Sequence, residues 1–441
     1  MKHRPYLGEY VKYTSLNVLG MIGLSCYILA DTFFVAKGLG TNGLAALNLA
    51  IPIYSFVHGC GLMLGMGGAT KYSILQSQKH TGASNRVFTG TLCAAAAFAL
   101  MFVMAGLFLS KMITQALGAD LAVFSMTNTY LRVILLFSPA FLLNDVLLCF
   151  VRNDGNPKLA MMAMLGGSMS NILLDYLFIF PLDMGIFGAV FATGLAPVIS
   201  ILILSPHWLG RKRGFHFMPG AGILKGVLPL LSLGFPSLVT EVSSGIVIIV
   251  FNMILLKLQG NVGVAAYGVV ANLSLVIIAI YTGIAQGIQP LLSKGYGSGN
   301  KEQVKRVLHY GIITVLLLSC VIYTLIFCLD GPIASVFNSE HNRQLQEIAQ
   351  TGLKLYFTGI WFAGTNIILS GYFTSTDCAK PAHGISLLRG LIVIVPMAFL
   401  LSALWGTAGV WLAFPVTELI VAISSFYLYR RLRDRPDRIE A

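Results

Sequence analysis

Five acidic residues interrupt long apolar stretches of this sequence, and their type is the first indication of chemistry. They are Asp31, Asp145, Asp175, Glu241 and Glu418. A carboxylate in the middle of a lipid bilayer costs about 2.5 to 3.5 kcal/mol on insertion scales, and acids retained there usually mark ion or substrate pathways. Each of the five is therefore a candidate functional residue.

Two of these acids form a predicted group with an amide and a hydroxyl. Asn171 and Asp175 are four residues apart, so they project from one helix face about 6 Å apart along the axis. Asp31 and Thr193 are expected at a comparable depth on two other helices. Such oxygen ligands suit a hard cation such as Na⁺, and two crowded carboxylates equally suit a proton carrier. The alternative is that Asn171 and Asp175 only join helices through hydrogen bonds.

The remaining candidates predict a substrate cavity made of Glu241, Asp145 and Met169. Glu241 lies near the middle of its helix, where it faces a central cleft and pairs with a cationic substrate, or else pairs within its own bundle. Asp145 lies near a helix end, where water or Arg152 would solvate it. Met169 belongs to a methionine cluster that suits either a core or a promiscuous pocket. The role of Glu418 is left open.

The composition indicates which elements hold these residues. Of 441 residues, 56% are hydrophobic and 10% are charged, and the mean hydropathy is +0.80. A water-soluble protein carries about a quarter charged residues, so a soluble globular chain is excluded. Because lipid cannot satisfy backbone amides, each span must close its own hydrogen bonds. We therefore predict an all-α polytopic membrane protein without cleavable signal peptide.

Twelve stretches have the length and polarity of a membrane span, which needs about 20 apolar residues. They are 11–36, 43–69, 87–110, 121–151, 159–180, 185–204, 226–256, 263–292, 307–329, 346–373, 382–404 and 407–429. Most of the 29 Lys and Arg residues fall in alternating connections on one side, which predicts that both termini are cytoplasmic. The net charge of +12 therefore reflects topology, and no nucleic-acid partner is expected.

An internal repeat divides the twelve spans into two halves. A shift of about 220 residues lays 40–46 on 260–266 and 185–188 on 406–409. An even number of spans separates the copies, so the two six-helix lobes are parallel and related by a pseudo-two-fold axis along the membrane normal. The predicted divisions are an N-terminal lobe with the cation site (1–205), a cytoplasmic basic linker (206–225), a C-terminal lobe (226–430) and a cytoplasmic tail (431–441).

The repeat also shows that the two halves differ in chemistry. Phe251 in the second half matches Asp31, and Phe414 matches Thr193. The predicted cation site is therefore confined to the N-terminal lobe.

The strings at 170–179 and 185–193 resemble the fifth and sixth helices of multidrug and toxic compound extrusion (MATE) transporters of the bacterial type. The segments 31–46, 152–157 and 287–300 also fit that family. The resemblance implies a V-shaped pair of lobes and drug export driven by inward Na⁺ or H⁺. It places the cation site on Asp31, Asn171, Asp175 and Thr193. One departure is that the inner half of the first span, 14–20, lacks the proline of many members, which puts a proline-centred bend in doubt.

These observations favour a secondary active antiporter that exports amphipathic organic cations by alternating access. The alternatives are a flippase for lipids or lipid-linked oligosaccharides, which would favour a strongly cationic cavity, an intramembrane enzyme, and a passive channel. No metal or nucleophile motif supports an enzyme, and no filter motif supports a channel. We expect no catalytic residue, no cofactor besides the coupling ion, and a monomer among the lipids of a bacterial inner membrane.

Overall fold

The structure, a computed structural model, describes residues 6–210, 213–220, 223–338 and 342–433. Within these ranges the regular elements are all helical. The α-helices are α1 (Leu7–Ser77), α2 (Thr81–Phe108), α3 (Ser110–Ala116), α4 (Phe124–Leu136), α5 (Ser138–Asn153), α6 (Pro157–Ile179), α7 (Gly185–Trp208), α8 (Ile223–Gly297), α9 (Lys301–Cys328), α10 (Asp330–Val336), α11 (Arg343–Tyr356), α12 (Ile360–Ser375), α13 (Ala379–Leu387) and α14 (Ile394–Arg433). A 3-10 turn at Phe357–Gly359 joins α11 to α12, and a π-helical turn at Leu388–Ile392 joins α13 towards α14.

Three of these helices are longer than one membrane span and break at a single glycine. The breaks are at Gly40 in α1, Gly260 in α8 and Gly406 in α14, with φ of 66°, 63° and 57°. Glycine has no Cβ, so it adopts this left-handed region without steric cost. The chain thereby reverses between two spans in a minimal turn.

Twelve spans follow from these breaks. In the described ranges, seven helices are long and apolar enough to cross a membrane, and the pair α4 and α5, bent by 48°, makes an eighth. The segments built on α1, α8 and α13–α14 each supply two spans, and α11 with α12 supplies one more. The expected all-α, twelve-span architecture is confirmed.

The helix ends differ from the expected ones because helices continue past their apolar cores. The first two predicted spans were separated at 37–42, whereas α1 deviates from helical geometry only at Gly40. The predicted linker at 206–225 is shortened at both ends, since α7 reaches Trp208 and α8 begins at Ile223. Residues 211, 212, 221, 222 and most of the predicted tail, 434–441, lie outside the described residues.

The internal repeat is visible in the backbone. Gly185 and Gly406, which match across the repeat, have φ of 60° and 57°, as closely similar as Gly40 and Gly260. Two apolar cores accompany the two copies. One runs from Val35 to Phe215, and the other is built almost entirely from residues between Phe251 and Val421.

The two lobes meet where α1 packs against α8. Gly67 of α1 lies against the carbonyl oxygen of Leu230, and Gly234 of α8 lies against that of Met63, so that a Cβ at either glycine would overlap with backbone. These contacts lie in the halves of the helices that end at the basic connections. The lobes are therefore joined on the side predicted to be cytoplasmic.

Polar side chains reinforce this junction. Arg152 is 2% exposed and donates to Oδ1 of Asn17 (2.7 Å) and Oε1 of Gln286 (3.0 Å). The Asn17 amide in turn donates to the carbonyl oxygen of Gly283 (2.9 Å). Near the surface, Lys71 pairs with Asp377 at 2.6 Å. We call Arg152, Asn17, Gln286 and Gly283 the inter-lobe latch.

Candidate functional site

The four residues predicted to couple the cation converge inside the N-terminal lobe. Asp31 is on α1, Asn171 and Asp175 are on α6, Thr193 is on α7, and all four are buried. The Asn171 amide, oriented to satisfy both its polar atoms, donates to Oδ2 of Asp175 (2.9 Å) and accepts from the Thr193 backbone N–H (3.2 Å). The carboxyl groups of Asp31 and Asp175 lie within hydrogen-bonding range of each other. We call these four residues the acid pair site.

Small residues let the helices of this site approach closely. A Cβ on Gly20 of α1 would lie 2.8 Å from Sδ of Met164, and one on Gly23 would lie 2.5 Å from Cδ2 of Leu165. Both partners belong to α6. Packing of this kind is how helices associate in lipid, where apolar burial drives association only weakly. The glycines thus allow α1 to bring Asp31 beside Asp175.

The acid pair site has unused acceptor capacity. Oδ1 of Asp31 and Oδ1 of Asp175 are buried without a hydrogen-bond partner among the described residues. A buried polar oxygen without a partner is costly, so a site of this kind favours a species that supplies the missing interaction. Two carboxylates, an amide oxygen and a hydroxyl fit a small hard cation or a shared proton.

Two tyrosines extend the acid pair site, and the sequence reasoning did not assign them. Tyr130 of α4 is buried, hydrogen-bonds Thr193, and lies within electrostatic range of Asp31 and Asp175. Tyr27 precedes Asp31 by four residues on α1, a spacing that puts both on one helix face. That spacing was the available signal for Tyr27, whereas Tyr130 lies on a distant element.

Asp145 does not have the solvated environment expected for it. It is 4% exposed, and its Oδ2 lies 2.9 Å from Nδ1 of His58 on α1. Arg152, the expected partner, belongs instead to the inter-lobe latch. The Tyr54 ring stacks on His58 with 5.9 Å between centroids, and its hydroxyl lies 2.8 Å from that of Tyr27.

Glu241 lies in the space between the lobes. It lines a cavity of about 90 Å³ together with hydroxyl, amide and apolar groups. Lining residues include Thr240, Gln286, Arg389, Leu62 and Met66. The last two come from α1 of the opposite lobe, so the cavity lies at the lobe junction.

Met169 and Asp145 are not among the residues that line this cavity. Met169 is 66% exposed on the face of α6 opposite Asn171, where it continues an exposed apolar stripe with Met162 and Leu173. A helix turns by about 100° per residue, so positions 169 and 171 point in nearly opposite directions. The expectation that Met169 lines the cavity is therefore wrong for this conformation.

Glu418 is bound within the C-terminal lobe. Its Oε1 accepts from Nε of Arg389 at 2.5 Å, and its Oε2 accepts from Nδ2 of Asn366 at 2.8 Å. Arg389 lies in the π-helical turn between α13 and α14. Such turns change the direction of the side chains that follow and often occur at functional sites. This acid is compensated by an internal cation, unlike Asp31 and Asp175.

Comparisons with known proteins agree with this architecture. The multidrug export protein MepA of Staphylococcus saprophyticus is 25% identical over 421 residues, which cover 95% of this chain and 92% of MepA. A structure of an outward-facing multidrug resistance MATE family transporter has a TM-score of 0.89 at 23% identity, covering 96% of this chain and 95% of that one. A MOP superfamily transporter from Pyrococcus furiosus, described as having a binding pocket of reverse polarity, has a TM-score of 0.87 at 24% identity, with coverage of 96% and 95%.

Both structural similarities concern the fold alone, whereas the sequence comparison extends to the family. The family described as MatE matches residues 18–177 and 236–400, which is more than half of the chain and includes most of both lobes. The matched segments contain the acid pair site up to Asp175, as well as Glu241 and Arg389. On this match the chain belongs to the MatE family of membrane transporters, the multidrug and toxic compound extrusion proteins.

Proposed function

We propose that this transporter is a secondary active antiporter that exports amphipathic organic cations in exchange for Na⁺ or H⁺. The observation that carries the proposal is the acid pair site. Its two buried carboxyl groups have no basic partner among the residues that the structure describes, and each retains an unused oxygen. Such a group is stable only when a proton or a cation offsets its charge. Occupancy of the site therefore changes the free energy of the conformation that contains it.

The geometry supports a mechanical link between the acid pair site and the inter-lobe latch. Asp31 and Asn17 are on the same continuous stretch of α1, about 21 Å apart at 1.5 Å per residue. Asp31 meets Asp175 at one end, while Asn17 accepts from Arg152 and donates to Gly283 at the other. A shift of α1 when the acids lose their cation would disturb the latch. Alternating access follows if the lobes separate there and close on the opposite side.

The chemistry of the cavity supports a cationic substrate. Glu241 is an acid at the lobe junction, and the cation that lines the same cavity, Arg389, is engaged by Glu418. A flippase for anionic lipid headgroups would favour uncompensated positive charge, which this arrangement does not offer. The proposed setting is a monomer in a bacterial plasma membrane with both termini in the cytoplasm.

The test is transport by purified protein in liposomes. Efflux of the cationic dye ethidium is measured with an imposed Na⁺ gradient and with an imposed pH gradient, each alone. We expect the wild type to respond to at least one gradient, and the Asp175→Asn variant to respond to neither while remaining folded. Asp183→Asn is the matched control, because Asp183 is an exposed acid just beyond α6. Ion-driven efflux by Asp175→Asn at the wild-type rate would contradict the proposal.

A further inference from the structure

A half-buried histidine near the lobe junction, His58, has no role in the mechanism described so far. His58 lies about half-way along the second span of α1, and its side chain is 15% exposed. On one side its Nδ1 is 2.9 Å from Oδ2 of Asp145. The fit is close, because a Cβ on Gly61 would collide with that carboxylate oxygen. Only glycine at 61 leaves room for Asp145 to lie against α1.

His58 does not itself line the cavity at the lobe junction, but it shares a helix face with two residues that do. Leu62 and Met66 line the cavity, and they follow His58 by four and eight residues on the same helix face. The adjacent Gly59 lies against α8, since a Cβ there would be 3.2 Å from Cβ of Glu241. His58 and Glu241 are within electrostatic range of each other. His58 thus lies between an acid of its own lobe and an acid of the other lobe.

The titratable and charged groups around His58 are few. They are Asp145 from α5, Glu241 from α8, Tyr54 on the same helix and, through Tyr54, Tyr27 from the first span of α1. With both carboxylates ionised, the group carries two negative charges when His58 is neutral and one when it is protonated. A positive charge beside Glu241 is therefore favourable, and histidine is the side chain that supplies one reversibly near neutral pH.

We propose that protonation of His58 and binding of an organic cation at Glu241 exclude each other. Protonated His58 acts as the counterion of Glu241 when the cavity is empty. A bound organic cation takes over that place, His58 loses its proton to the water of the open cleft, and one positive charge replaces another. The inference rests on the proposed function, since it requires that Glu241 binds the cationic substrate.

This exchange has the direction that export requires. A cleft open to a more acidic outside protonates His58 and releases the organic cation there. A cleft open to the cytoplasm binds a new cation and releases the proton inward. The cavity would then carry one proton inward for each cation exported, provided that the acid pair site still drives the movement of the lobes. His58 is a positioning residue for charge at Glu241, with Asp145 holding its imidazole in place.

The experiment measures binding of tetraphenylphosphonium to the purified full-length protein in detergent, over a pH range centred on the ordinary histidine pKa of about 6.5. For the wild type we expect the affinity to fall by up to about tenfold per pH unit on the acidic side, as one proton competes with the cation. In a weakly buffered solution, binding should release a proton. The His58→Gln variant should lose this part of the pH dependence and release no proton.

Two further variants keep the result decisive. Asp145→Asn should shift the onset of proton competition to lower pH without abolishing it, because His58 then loses its contacting carboxylate. If His58→Gln folds poorly, this shift tests the inference in its place. Glu241→Gln should weaken binding at every pH. If Glu241→Gln binds the cation like the wild type, the proposed role of Glu241 fails. If it weakens binding while His58→Gln keeps the wild-type pH dependence and proton release, the inference about His58 alone is overturned.

Discussion

The two lobes share a backbone plan but fill the same interior position differently. In the N-terminal lobe that position holds Asp31 and Thr193, and in the C-terminal lobe it holds Phe251 and Phe414. The Phe414 ring stacks on Tyr356 with 4.3 Å between centroids and 7° between planes, and the Phe251 ring stacks on Tyr267 at 5.4 Å. An aromatic cluster therefore occupies the place of the acid pair site. The same fold thus holds carboxylates in one copy and packed aromatic rings in the other.

The acids of the two lobes differ in the same way. Glu418 is held by Arg389 and Asn366, so its charge is balanced at all times. Neither Asp31 nor Asp175 forms an ion pair with a basic side chain in the described ranges, and charge balance there depends on what enters from solution. A permanently compensated acid stabilises one arrangement, whereas an uncompensated one makes the arrangement depend on the ion.

The largest expected effect comes from removing the characteristic side-chain group at each of two matching positions. Asp31→Asn should reduce ion-driven dye efflux to background and leave thermal stability unchanged or higher, because it removes a buried charge. Phe251→Ala should do the reverse, lowering the free energy of unfolding by about 3 to 5 kcal/mol while the folded protein still couples. Efflux and thermal unfolding are measured on both variants. An equal loss of ion coupling in both variants would show that coupling is not confined to the N-terminal lobe.

The next effect tests whether Glu418 is structural. Glu418→Gln leaves the half-buried Arg389 charge without its counterion. Breaking a fully buried pair in this manner costs about 3 to 5 kcal/mol, so a loss of up to about 3 kcal/mol is expected here. The double variant Glu418→Gln with Arg389→Gln removes both charges and should recover most of that loss. Thermal unfolding in detergent measures both. If the single variant is as stable as the wild type, Glu418 and Arg389 do not form the pair that distinguishes this lobe.

The smallest expected effect tests whether Tyr130 belongs to the acid pair site. Tyr130→Phe removes one hydrogen bond to Thr193, which is typically worth about 0.5 to 1.5 kcal/mol, so the apparent affinity for the coupling ion should fall roughly two- to tenfold. Tyr356→Phe is the matched control, since it removes a buried hydroxyl that bonds Ser274 in the other lobe. Initial efflux rates at several ion concentrations report the affinity. A larger effect from Tyr356 than from Tyr130 would contradict the assignment.

Much of this arrangement was predictable because it depends on short-range periodicity. The four-residue spacing of Asn171 and Asp175 fixes their common face, and the repeat identifies Phe251 as the counterpart of Asp31. The same periodicity, applied to Met169, would have placed that residue on the opposite face. The pairing of His58 with Asp145 was not predictable, because it depends on how α5 is rotated against α1. The position of Arg389 depends on a π-helical turn that has no clear sequence signature.

The paired turns described above carry a consequence for how such a protein diverges. Gly40 and Gly260, and likewise Gly185 and Gly406, have nearly identical left-handed geometry, whereas the side chains inside the lobes differ, with acids in one and aromatic rings in the other. The turns therefore set the shared backbone plan, and the interior side chains can differ without disturbing it. A copy that loses its acids still has a scaffold that folds. On the proposed function, ion coupling is therefore a trait that a lobe can lose by a few substitutions while its architecture persists.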